Sequence, residues 1–382
     1  MSAADESLDS GTVYKLMRAA FILDDGPVKV AMLEEALRVA EMLGDDDLTQ
    51  NARDSLVEAA IFGGRSDLAL VTFSRCLAYS DAHPEEGDSH SLLWQYKWIA
   101  GTLDEFPQIT RQQIDQTLHD LELRATKAGY STYAMETLRW AMAIGMGDLE
   151  AARAAYAQFE QADRDGLGDC RACVEDMRVK YFAFADEPEN ALQAADPILK
   201  KRLRCKEIPH RTYGRVLMPL FRLGRLEEAA EFHRKGYRLI QRNPEFLSQI
   251  ANHLQFLSLT ANTAQALKIV SLNLPFAITA VPGRKFDFLV VASFALLFAA
   301  EQGTKTIKSL LPSSVPFFRE NGQYPVRELQ IELHKLAEDL ASQLDRRNGN
   351  PSCRRRLDEL PSLLAQVRPH SVVVLRKVKS RE

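Results

Sequence analysis

The sequence predicts an all-α fold made of repeated helix pairs. Three observations carry that expectation. Apolar residues recur three and four places apart along long stretches, as one face of a helix requires. One helix–turn–helix phrase returns at a nearly constant spacing. A chain of 382 residues also exceeds the usual size of one compact core, so it forms either two or three domains or an elongated array. A hydrophobic content of 46% with 26% charged residues belongs to an ordinary folded, soluble protein. The formal net charge of −4 gives no global drive toward nucleic acid or a membrane surface.

The first element, residues 1–14, is read as an acidic tail; its opening, "MSAADESLDS", predicts no export signal. Residues 15–320 are read as the repeat array. The clearest copy runs from His210 to Pro244: an amphipathic segment reaches Leu223, Gly224 breaks it, and "RLEEAAEFHRKGYRLI" begins a second. Ala229 and Gly236 are small enough to let two backbones approach, and Pro244 closes the second helix. "GDLEAARAAYAQF" from Gly147, "DEPENALQAADPI" from Asp186 and "GRSDLALVTFSRCL" from Gly64 repeat the phrase, and "GPVKVAMLEEALRV" from Gly26 is a weaker copy. Their aligned small anchors are Ala31, Ala69, Ala152, Ala191 and Ala229, about 38 to 40 residues apart with one double gap. "ITRQQIDQTLHDLELRA", around Ile114, fills that gap. "TANTAQALKIVSLNLP" and "EQGTKTIKSLLP" are expected to extend the array more loosely. Between them the apolar run from Phe286 to Ala300 carries Asp287 and falls short of the roughly twenty residues that cross a bilayer, so it reads as a buried helix. Residues 321–382 are read as a capping helix with Leu329, Leu333, Leu336, Leu340 and Leu344 on one stripe, followed by a basic tail.

The order glycine, alanine, aromatic, closing proline resembles the tetratricopeptide repeat family, over roughly residues 15–315. The copies are longer than the family's usual repeat of about 34 residues, and Tyr213 stands where the family's early tryptophan is expected. With its "GYR" and "NGN" phrases, the chain also looks like a group of bacterial tetratricopeptide proteins. The resemblance implies a superhelical α-solenoid of about seven or eight antiparallel helix pairs whose concave face grips a protein or peptide. It further implies a non-enzymatic scaffold or adaptor. An irregular all-helical domain without a binding groove is the plainer alternative. In this family the first helix of each pair lines the groove, which would place Arg211, Arg215 and Arg222 to hold an acidic peptide or a C-terminal carboxylate. A solvated face with local ion pairs explains the same three residues.

Five cysteines without an export signal point to a reducing, cytoplasmic setting, where close cysteines are more often metal ligands or redox centres than disulfides. Cys170 and Cys173 open "CRACVEDMRVKYFAF", with Asp169 as the expected N-cap; Cys205 follows the next helix, and His210 opens the one after. In antiparallel hairpins these four positions gather at one edge. Three thiolates and an imidazole are a standard tetrahedral set for structural zinc. Two other readings stay open: a Cys-x-x-Cys redox pair, or small interior cysteines with a capping histidine. Cys76 and Cys353 need no function, and Trp94, Trp98 and Trp140, at helical spacing, read as core.

The sequence shows no phosphate loop, His-Glu-x-x-His or Gly-x-Ser-x-Gly motif. The leading functional expectation is therefore a scaffold; a regulator that closes on a peptide or small molecule is the alternative. Nucleic acid ranks third as a partner, resting on "CRRR" (Cys353 to Arg356) and the final "RKVKSRE". An acidic start and a basic end would also allow head-to-tail self-association.

Overall fold

The computed structural model describes residues 9–85, 89–241 and 243–373. Residues 1–8 of the acidic tail and the basic stretch 376–382 lie outside the described residues. The fold is all-α, as expected: apart from one short two-stranded ribbon, the regular structure of the described residues is helical. No helix among them is long and apolar enough to cross a membrane.

The chain forms two compact units. Of the described residues, the first holds 9–85, 89–145, 150–168 and 243–245, with α1 (Ser10–Phe21), α2 (Pro27–Leu43), α3 (Asp46–Phe62), α4 (Ser66–Ala82), α5 (His90–Ala100), α6 (Arg111–Lys127), α7 (Tyr133–Gly145) and α8 (Leu149–Phe159). Side-chain caps mark several starts. Asp9, Asp45 and Ser89 each accept a first-turn N–H, and Thr110 with Gln113 makes a reciprocal capping box ahead of α6. Trp140 is fully buried between Tyr156 and Phe159, whereas Trp94 and Trp98 are half-buried.

Of the described residues, the second unit holds 146–149, 169–241 and 246–373, with α9 (Arg171–Phe184), α10 (Pro188–Leu199), α11 (His210–Arg215), α12 (Leu217–Arg222), α13 (Leu226–Ile240), α14 (Leu247–Leu259), α15 (Thr263–Thr279) and α16 (Pro282–Glu301). The ribbon β1 (Thr306–Lys308) and β2 (Gln323–Pro325) precedes α17 (Val326–Asn348), α18 (Ser352–Asp358) and α19 (Leu360–Leu363). The apolar run predicted as a buried helix is α16, which packs against α14, α15 and α17. The one acid of that run, Asp287, accepts hydrogen bonds from Arg356 at 2.8 Å and Ser248 at 3.0 Å. Along α17, Leu329, Leu333 and Leu344 are buried against α16, with Ala337 and Ala341 filling the stripe between them.

One turn recurs between helices. Gly64, Asp186, Gly224 and Ala261 all adopt left-handed φ, between 57° and 78°. The N–H of the next residue then donates to the carbonyl five residues before it: Arg65 to Ala60 at 2.8 Å, Glu187 to Phe182 at 2.8 Å, Arg225 to Leu220 at 2.9 Å, Asn262 to Leu257 at 2.8 Å. This is the Schellman closure of a helix C-terminus. That same residue caps the following helix, and its carbonyl accepts the N–H of Ala69, Ala191, Ala229 or Ala266, each buried where the two helices meet. The repeat legible in the sequence is thus a repeat of backbone hydrogen bonds.

Three expectations about the array need correction. Ala31 is exposed, and Val30 takes the buried place. Gly26 is itself the N-cap of α2, with extended φ, so the frame there shifts by one residue. After Gly303 the closing bond forms again, Thr304 to Ala299 at 2.9 Å, but the "EQGTKTIKSLLP" copy supplies β1 instead of a helix. β-Branched Thr304, Thr306 and Ile307 favour extended backbone, and Pro312 and Pro316 prevent a helix thereafter. The first helix of the clearest copy is also divided, into α11 and α12, because Pro219 has no N–H to give the Arg215 carbonyl.

Candidate metal centre and arginine cluster

The sulfur cluster is built where α9 begins and where the loop after α10 folds back. Cys170, not Asp169, is the N-cap of α9, in extended conformation. Cys173 lies one turn on, its side chain packed with Leu203 against Ala172, Ile198 and Ile208. α10 runs through Pro197 and ends at Leu199; Cys205 and Ile208 then exchange backbone hydrogen bonds of 3.2 and 3.3 Å, which hold Cys205 in a tight loop. The Cys170 and Cys173 sulfurs are 3.5 Å apart, and the ligand atoms of Cys170, Cys173 and Cys205 all lie within 4.8 Å of one another. A tetrahedral zinc with Zn–S bonds of about 2.3 Å sets its sulfurs about 3.8 Å apart, so small side-chain movements would close the set.

Electrostatics fits a thiophilic cation. Burial raises the Cys170 thiol's pKa, but the backbone N–H groups of Cys173 and Ala172 and the thiols of Cys173 and Cys205 outweigh it, and the net shift is downward. Burial pushes the Cys173 thiol well up, and negative charge on Cys205 and Cys170 adds to that. The three sulfurs cannot all ionise together unless a cation offsets their repulsion. Lys200, Lys201, Arg202, Arg204 and Lys206 crowd the same loop in sequence, a signal that the cysteine spacing overshadowed. They would favour the net negative charge of a trithiolate–zinc complex.

His210 starts α11 but does not join the mutual 4.8 Å set. Its ring stacks on Phe246 with centroids 5.9 Å apart. Its Nδ1 is buried without a hydrogen-bond partner, and burial lowers its pKa, which keeps the imidazole neutral and able to act as a ligand.

The three arginines have separate surroundings. Arg211 pairs with Glu207 at 2.7 Å and lies 5.9 Å from the centre of the Phe246 ring. Arg222 is half-exposed and pairs with Asp186, the turn residue between α9 and α10. Arg215 is different: its side chain is only 10% exposed, and its guanidinium pairs with the Asp176 carboxylate and donates to the Asp176 carbonyl at 2.9 Å. Thr212 donates to the same carboxylate at 2.7 Å. Asp176, buried on α9, therefore ties that helix to α11, and Arg215 is engaged inside the fold. No sequence motif marked Asp176; only its place among the buried positions of α9 would have.

No family model matches the sequence, and no curated protein matches it. One solved structure that does match is described as the TPR domain of P58(IPK). It is 15% identical over 93% of this chain and 98% of that chain, with a TM-score of 0.23. Identity and TM-score at that level carry neither fold nor function across to this chain.

Proposed function

We propose that the chain is a non-enzymatic interaction scaffold that binds a protein or peptide through its arrays of helix pairs, with one structural zinc ion. The observation that supports the scaffold is the recurrence of one hairpin turn with the same hydrogen bonds at Gly64, Asp186, Gly224 and Ala261. Stacked hairpins of this kind offer extended surface. Arg211 and Arg222 are the arginines accessible to an acidic segment, with Arg215 as an internal brace. Arg211→Glu and Arg222→Glu together should abolish recovery of a stoichiometric partner in pull-down from native extract, while Arg238→Glu on α13 should not. Equal recovery with all variants would reject the arginine assignment.

In the zinc reading, Cys170, Cys173 and Cys205 supply thiolates, and His210 supplies the fourth ligand after its ring swings off Phe246. A zinc ion closed by four protein ligands contributes folding energy and no open position for substrate. A reducing, cytoplasmic setting suits free thiols kept for this purpose. Elemental analysis of untagged protein should find close to one equivalent of zinc, and His210→Ala should lower that content less than Cys173→Ser. Metal-free protein with three freely titrating thiols would refute the site.

A further inference from the structure

Within the second unit, residues 368–372 lie extended against the ends of helices. The Arg368 N–H donates to the Leu259 carbonyl at 2.8 Å, and the His370 N–H to the Thr260 carbonyl at 3.1 Å. Asn262 then grips the segment on both sides of Ser371: its amide donates to the His370 carbonyl at 2.8 Å, and its Oδ1 accepts the Val372 N–H at 3.2 Å. Arg234 donates to the Val372 carbonyl at 3.1 Å. The Arg368 guanidinium donates to the Phe221 carbonyl at 3.3 Å and sits 5.0 Å over the Phe221 ring.

The bonding has the logic of a peptide site. Leu259 and Thr260 stand at the C-terminus of α14, where carbonyls have no backbone partner within their own helix, whereas the Phe221 carbonyl at the end of α12 also accepts the Gly224 N–H at 3.1 Å. Residues 368, 370 and 372 supply N–H groups at the period of two that extended backbone gives. Pro369, which has no N–H, falls at a place that faces away from the array. A side-chain amide that reads a carbonyl and an N–H two residues apart recognises backbone and not sequence. Side-chain selection is left to Arg368 and to Val372, which is buried in the core of this unit. Main-chain bonds for affinity with alternate side chains for specificity is how extended peptides are recognised in general.

We propose that residues 368–372 are a strap seated in a docking site for an extended peptide. The trans occupant is a peptide of like chemistry: an arginine, inward N–H groups at every second residue, and a β-branched residue four places after the arginine. The inference rests on the scaffold reading and gives that reading a location. A tethered segment competes at an effective concentration on the order of millimolar, so the strap shields the site until a partner displaces it.

The test uses the full chain and a fluorescein-labelled peptide, QVRPHSVV, matching residues 366–373. Anisotropy should show binding at least tenfold tighter to an Arg368→Ala/Val372→Asp chain than to the unchanged chain. Adding Asn262→Ala should remove that gain, and a scrambled peptide should not bind either chain. Because Asn262 also caps α15, hydrogen exchange offers a second measurement: in the tail variant, amides 368–372 should lose protection while α14 and α15 keep theirs. Equal binding to both chains overturns the proposal, and so does unfolding of α14 and α15 in the tail variant, since the strap would then be an integral part of the core. A pull-down partner retained equally by both chains would sink the strap and leave the scaffold standing.

Discussion

Asp176 and Arg215 show what a single buried charge contributes. The pair brings α9 and α11 together in a place where neither side chain reaches water freely. Asp176→Ala would leave the guanidinium buried without its counter-charge, which typically costs about 3–5 kcal/mol. Asp176→Ala combined with Arg215→Met should recover most of that loss. Urea unfolding of the full chain checks both, and a single-variant loss below about 1 kcal/mol would show that the pair is solvated after all. The cysteines were legible in the sequence because their residue type and spacing carry chemistry wherever they fall. Asp176 was not, since one carboxylate on an amphipathic helix looks like any solvated acid until its partner, thirty-nine residues on, is placed beside it. His210 was correctly put at the start of a helix, but its ring orientation follows from Phe246, which no spacing rule could foresee.

Helices and turns depend on backbone conformation more than on any one side chain. Gly224 occupies the left-handed turn position with open space around it, so Gly224→Ala should cost only the intrinsic penalty of about 1–2 kcal/mol. A Cβ on Gly64 would in addition meet the Glu245 backbone nitrogen at 2.9 Å, so Gly64→Ala should destabilise more. Ala261 already bears the strain, and Ala261→Gly should stabilise the second unit by up to about 1 kcal/mol, less the extra freedom gained by the unfolded chain. Melting temperatures in the order Ala261→Gly, unchanged chain, Gly224→Ala, Gly64→Ala would bear this out; a reversed order of the two glycine variants would refute the steric argument. The hairpins were legible because glycine and alanine mark this turn strongly. The frame slipped at Gly26 because a glycine can serve as N-cap or as left-handed turn residue, and sequence does not distinguish the two. Pairing through the backbone, as in the strap and in β1, leaves still less trace among side chains.

At the scale of the molecule, the core of the second unit contains a histidine pair whose protonation opposes folding. The Nδ1 atoms of His233 and His253 are 3.0 Å apart, and Nε2 of His253 is buried without a partner. A bare acceptor there costs less than a stranded N–H, so His253 carries its proton on Nδ1 and donates to His233. Gly236 makes the close packing possible, since a Cβ there would come within 2.5 Å of Tyr213 and 3.1 Å of the His253 ring. Burial, with Arg234 adding to it, lowers the His233 pKa to about 4. Burial and His233 hold His253 well below its ordinary value. Both folded pKa values lie below the unfolded value of about 6.5, so in that interval the unfolded chain binds more protons. The stability the pair contributes is complete above about pH 6.5 and declines as pH falls toward 4. For His233 alone the span corresponds to a contribution on the order of 3 kcal/mol. Denaturant midpoints of the full chain should therefore fall between pH 7 and pH 5, and His233→Gln with His253→Gln should flatten that slope even while lowering stability at pH 7. Carboxylates that pair in the folded state would give the same sign at lower pH, but their slope would persist in the double variant. An unchanged slope in that variant would assign the acid sensitivity to those carboxylates and leave the histidines as neutral packing.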